Sequence, residues 1–273
     1  MTVGTVVGRA PGVLPAGRYG MPGLVRSEWL KLRTVRSTTW SLVLLVVLSV
    51  GIGALGTAET RAHWTASTAV GFDPTQTSLI GVFFAQLVIG VLGVLAMSAE
   101  YGTGTIRATF AAAPRRPLVL AAKSAVFFAV ALVVSEVVAF VSFLLGQALL
   151  GAPAIHATLS SPGALRAVVE SGLYLALLGL LGLGLATIIR HTAGAIGAFV
   201  GVVLVLPLVV QALPSSTQLA VRRWLPSRIG QSIIATRPSF GHELSPWVGF
   251  AVLCAYVAVV LVAGAVLLVR RDA

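Results

Sequence analysis

Six apolar runs constrain this chain more than any other feature. They cover roughly 39–57, 79–98, 124–149, 169–189, 193–213 and 247–269. Each is close to the ~20 residues an α-helix needs to cross ~30 Å of hydrocarbon. In lipid the backbone must satisfy its own hydrogen bonds, so runs of this kind fold as helices. The spacing predicts an all-α, polytopic membrane protein of six transmembrane helices. Only 10% of the 273 residues are charged and the mean hydropathy is +0.98, against about 25% charged in a soluble domain. The formal charge of +11 lies beside apolar runs rather than along a soluble face. It therefore reads as juxtamembrane anchoring on membrane lipids, with no nucleic acid partner.

The bases also orient the chain. One side collects Arg9, Arg18, Arg26, Lys31, Arg33, Arg36, Arg107, Arg115, Arg116, Lys123, Arg190, Arg270 and Arg271, thirteen in all. The other collects six: Arg61, Arg166, Arg222, Arg223, Arg228 and Arg237. The excess predicts both termini in the cytoplasm. Residues 1–23, rich in Gly, Pro and Arg, read as a disordered cytoplasmic tail, and 24–273 as a single transmembrane domain. Between them "LVRSEWLKLRTVRS" (24–37) reads as an interfacial helix carrying Trp29, Lys31, Arg33 and Arg36. Its amphipathicity is imperfect, because Glu28 falls near the apolar side. The loop of 211–247 is expected to hold interfacial or partly re-entrant helices broken at Pro226 and Pro238. "RHT" (190–192) is so short that the fourth and fifth spans must be antiparallel neighbours. Pro207 predicts a kink in the fifth span.

The chemistry the chain lacks is as informative. A phosphate-cradling loop needs G-x-x-x-x-G-K-[ST], but Lys31 follows Leu30 and Lys123 follows Ala122, and there is no third lysine. Metal and catalytic spacings such as H-E-x-x-H and C-x-x-C are missing, and His63, His156, His191 and His242 are scattered. The single Cys254 sits in an apolar run as filler. These absences predict no catalytic residues, no metal and no cofactor on this chain. Glu136 lies mid-span, where an ionisable group is costly and faces a cavity or the bundle interior. It is expected either to contact a substrate, cation or proton, or to bridge helices through Gln86 or a serine. Gly197 and Gly201 form a G-x-x-x-G, expected to serve close packing within the chain more than a dimer seam.

The connector "AEYGTGTIRATFAAAPRRPLVLAAK" (99–123) holds one acid, four bases and three threonines. A short helix is expected there, capped by Thr103 or Thr105 and stopped at Pro114. Its polar content exceeds what topology requires, which argues for a surface that docks a partner. With "SEWLKLRTVRSTTWSLVLL" and "LPSRIGQSI", this segment resembles the membrane subunit of ABC-2-type ABC transporters, particularly small six-span bacterial permeases. That resemblance implies a permease, an exporter, in the bacterial cytoplasmic membrane. It further implies a separate ATPase subunit holding ATP and magnesium, and a second permease copy forming a homodimer or heterodimer. By matching positions it implies coupling to the ATPase through Glu100, Gly104, Thr105, Arg107, Arg115 and Lys123. Arg116 has no clear counterpart. A non-transporting immunity or sensor module of the same fold is the alternative.

Overall fold

Proline punctuates the chain at helix starts, where a missing N–H costs nothing, and four of the longer elements begin that way. A computed structural model describes residues 20–65, 67, 69–113, 115–152, 154–237 and 243–271. Expectations on the tail, on Arg9, Arg18, Pro114, Pro238 and His242 lie outside the described residues. The elements are α1 (Met21–Thr34), α2 (Arg36–Ala62), α3 (Pro74–Ser78), α4 (Val82–Gly102), α5 (Thr105–Ala112), α6 (Arg116–Leu150), α7 (Ala164–Ile189) and α8 (Thr192–Val200). A π turn over Gly201–Val205 leads into α9 (Leu206–Gln211), followed by α10 (Ser215–Arg222), α11 (Pro226–Ile234) and α12 (Pro246–Arg270). Among the described residues six helices are long and apolar enough to cross a membrane, with α8 to α9 counting as one. The described residues contain no strand.

Two boundaries differ from expectation. The tail does not reach residue 23, because α1 begins at Met21, and that helix ends at Thr34 on an extended Val35 (φ −81°, ψ 117°). Arg36 therefore opens α2. The third span is 35 residues long, beginning at Arg116 rather than 124; its first two turns are helical but lie before the continuous apolar run. In the fifth span the π turn immediately precedes Pro207, absorbing the hydrogen bond that proline cannot make.

The core is organised around α7, which packs on α4, α6, α8, α11 and α12. Its apolar stretch is 78% buried, against 22% for α2, the fifth span and α12. Helix α7 approaches α4 backbone to backbone. A Cβ on Gly93 would strike the Gly179 carbonyl, and one on Gly182 the Gly90 carbonyl. Membrane helices associate where small residues let backbones meet. The expected G-x-x-x-G packing is corrected: Gly197 and Gly201 have open space where a Cβ would project, and the glycines that close the core lie on α4 and α7.

The two ends of the bundle are tied separately. At one end Asp73 caps α3 by accepting from the Thr75 and Gln76 amides, both at 3.0 Å. Its second oxygen accepts from the Thr236 amide at 2.6 Å. Arg166 donates to the Ile233 and Ala235 carbonyls at 3.1 and 2.8 Å, fixing the end of α11, which begins at Pro226 and is tucked into the bundle while α10 has no buried residue. At the other end α1, α5 and the C-terminus of α12 come together. Arg190 (φ 59°) makes the tight turn between α7 and α8, and His191 Nδ1 accepts from the Gly194 amide to cap α8.

Candidate functional site

Helix α1 places Glu28 and Lys31 one turn apart, facing the last turn of α4 and the start of α6. Lys31 Nζ donates to Glu28 Oε1 at 2.7 Å and to Glu100 Oε1 at 2.8 Å. Lys123 Nζ donates to Glu100 Oε1 at 2.8 Å and makes a very short bond to Glu28 Oε2. The four side chains form a closed, neutral ring of alternating charge. Glu28, Glu100 and Lys123 are buried; the Lys31 side chain is 38% exposed. Buried charges are tolerated when paired and hydrogen-bonded, and each carboxylate here meets two ammonium groups. Burial alone would push the Lys31 ammonium down, but hydrogen bonds and charge from Glu100 and Glu28 hold it above the ordinary lysine value. The Glu28 that spoiled the amphipathic pattern of α1 is the residue that turns the helix inward.

The connector hangs from this ring. Gly104 adopts φ 71°, a left-handed conformation open to glycine at little cost, and it turns the chain from α4 into α5. The expected capping is corrected. The N-cap is Gly104, with no side-chain hydrogen bond, while Thr103 Oγ1 donates back to the Ala99 carbonyl at 2.8 Å and closes α4. Ile106 and Phe110, one turn apart, bury the inner face of α5. Gly104, Thr105 and Arg107 are exposed on it, as is Arg115 beyond it.

Of the six residues assigned to coupling, four thus stand on the surface and two, Glu100 and Lys123, lie inside the ring. Arg116 has a clear job of its own. Its Nη1 donates to the Leu268 and Arg271 carbonyls at 2.9 and 3.0 Å, and its guanidinium sits 5.3 Å over the Phe110 ring. A cation at a helix C-terminus satisfies orphan carbonyls and the helix dipole, so Arg116 clamps α5 to the end of α12. Glu28 was missing from the sequence-derived site because its partner on α6, Lys123, lies 95 residues further along the chain. Trp29 and Arg33 are exposed on α1, and Arg36 on α2.

Deeper in the bundle the expected Glu136–Gln86 bridge does not form. Gln86 Oε1 accepts from the Tyr174 hydroxyl at 2.5 Å, joining α4 to α7. Glu136 on α6 instead lies in the notch left by Gly172, where a Cβ would meet its carboxyl oxygens at 2.6 and 2.8 Å. Its Oε2 has no donor among the described residues. A glycine opposite a carboxyl is a space that any larger residue would fill. Among the described residues no three His, Cys, Asp or Glu side chains converge as metal ligands.

The family model described as "ABC-2 family transporter protein" matches residues 24–209, from α1 into α9. No curated protein matches the chain.

Proposed function

The chain belongs to the ABC-2 transporter family and is a membrane component of an ABC transporter, a system that works with an ATPase partner; from that premise we propose that it is an exporter permease driven through α5. In this reading the termini, α1 and α5 face the bacterial cytoplasm, and ATP and magnesium are held by the partner. This chain is not an enzyme. The observation that carries the reading is the connection from surface to core: an exposed face of Gly104, Thr105, Arg107 and Arg115 joined at both ends to the buried ring, by Glu100 before it and Lys123 after it.

The ring explains how a push on α5 travels. Glu100 and Lys123 are bonded to each other and to α1, so α4, α6 and the interfacial helix move as one body. Arg116 adds the end of α12. ATP binding by the partner then biases two arrangements of rigid helices, the requirement for any transition driven by a ligand. A second permease copy completes the pathway, and the uncovered Gly197–Gly201 face of the fifth span is the surface it would use. In this reading Glu136, in its notch at Gly172, contacts cargo or a proton.

The test is charge reversal on the exposed face. In the complex reconstituted with its ATPase, Arg107→Glu and Arg115→Glu should leave the bundle folded while ATPase activity loses its link to transport. Normal transport and normal assembly in both variants would overturn the proposal. Purification from native membranes in mild detergent separates this reading from a stand-alone immunity or sensor module, because the ATPase should co-purify.

A further inference from the structure

Beside the charged ring a groove of about 320 Å³ opens between α1, α2, α4 and α6, within the ~300–1,000 Å³ range of small-molecule sites. Its mouth carries Lys31, Ser37 and Thr38; its far end is lined by Leu92, Ala96 and Phe127. From Glu100 to Leu92 is eight residues of α4, or about 12 Å of helix rise. That is most of one leaflet's share of a ~30 Å hydrocarbon core. The groove therefore runs from headgroup level down into the lipid, polar at one end and apolar along its length.

We propose that this groove seats one acyl chain of an anionic phospholipid, with its phosphate at Lys31 and the start of α2. Two observations select that occupant. The gradient from charge to hydrocarbon over the depth of a leaflet fits a single chain with its head attached. The mouth favours an anion: the ring itself is neutral, Arg33 and Arg36 are exposed beside it, and Lys31 spends two of its three donors on carboxylates. The first amides of α2 open there as well, since the N-cap Val35 offers no side-chain acceptor. Basic pockets between helices at the cytoplasmic surface are a recurrent setting for anionic heads. The inference rests on the groove and the ring, and holds whether or not the chain exports anything.

The full-length chain, purified in mild detergent and incubated with equal amounts of phosphatidylglycerol and phosphatidylcholine, is read by native mass spectrometry. Phosphatidylglycerol should be retained about tenfold over phosphatidylcholine. Ala96→Trp, which fills the groove, should abolish that retention, while Val259→Trp on the lipid-exposed face of α12 should not. Lys31→Gln should bring the two lipids to parity. Equal retention by the unaltered chain, or undiminished retention by Ala96→Trp, overturns the proposal. Should Ala96→Trp fail to fold, Phe127→Trp decides: this position is 2% exposed and out of reach of surrounding lipid, so bromine-labelled phosphatidylglycerol quenches the added fluorescence only from within the groove. Unquenched fluorescence counts against it.

Discussion

Replacing Lys123 by methionine removes one ammonium from the ring and keeps the packing volume. The side chain is 6% exposed, so no water takes its place at Glu100 Oε1 or Glu28 Oε2. Deleting one partner of a buried ion pair costs about 3–5 kcal/mol, because the charge left behind is buried without compensation. Lys31 still donates to both carboxylates, which offsets part of the deficit and puts the expected cost at the lower end, about 3 kcal/mol. That is roughly a hundredfold in the folded-to-unfolded ratio. Adding Glu100→Gln to Lys123→Met leaves Glu28 and Lys31 as a neutral pair. The double variant should therefore be more stable than the sum of the two single losses, by about 1.5–3 kcal/mol. The measurement is a double-mutant cycle of reversible unfolding in mixed micelles, followed by far-ultraviolet circular dichroism. If the two losses add to within about 0.5 kcal/mol, the four residues do not act as a unit and the ring is a coincidence of surface pairs.

The ring also predicts a pH dependence. The Lys31 pKa is raised in the folded state, so its contribution is fully present below the unfolded lysine value near ~10.4 and is lost as pH climbs through the higher folded value. The stability gap between the native chain and Lys31→Gln should stay flat from pH 6 to about 9 and close above about 10.5; a gap that widens in alkali refutes it. Gly93→Ala should cost about 2–3 kcal/mol, because its Cβ meets the Gly179 carbonyl, a backbone atom that cannot rotate away. Gly197→Ala, in open space, should leave the monomer's unfolding unchanged. Glu136→Gln should keep the fold and alter transport as a function of pH in the reconstituted complex; identical pH profiles would reduce this residue to packing.

The spans were legible because length and hydropathy report directly on the solvent a helix lives in. The match of α4, α7 and α12 with their apolar runs follows from that alone. The start of α6 was less legible, since hydropathy marks where lipid begins while the helix continues down to the proline at its first turn. The connector could be singled out from its surplus of polar residues, and α5 lies inside it. The sorting of its residues into exposed and buried sets could not, because Glu100 owes its burial to a helix 69 residues away. Glycine misled for a related reason. A G-x-x-x-G is visible in one helix, whereas Gly93 and Gly179 close on each other from two helices and carry no local signature. Glu28 was visible only as a defect in a pattern, and defects in amphipathic helices are worth treating as pointers to buried partners.

The burial of α7 has a consequence for the order in which the protein is built. Membrane helices insert individually and associate afterwards, and they leave the ribosome in chain order. Helices α4 and α6 each pack far more extensively on α7 than on one another, and α7 ends at Ile189. The first three spans must therefore wait in the bilayer, with the glycine notches of α4 facing lipid, until the fourth has been inserted. A chain stalled before that point holds α2 packed on α4 and α6 but lacks the helix around which the core closes, so the small-residue face of α4 stays open until the fourth span arrives.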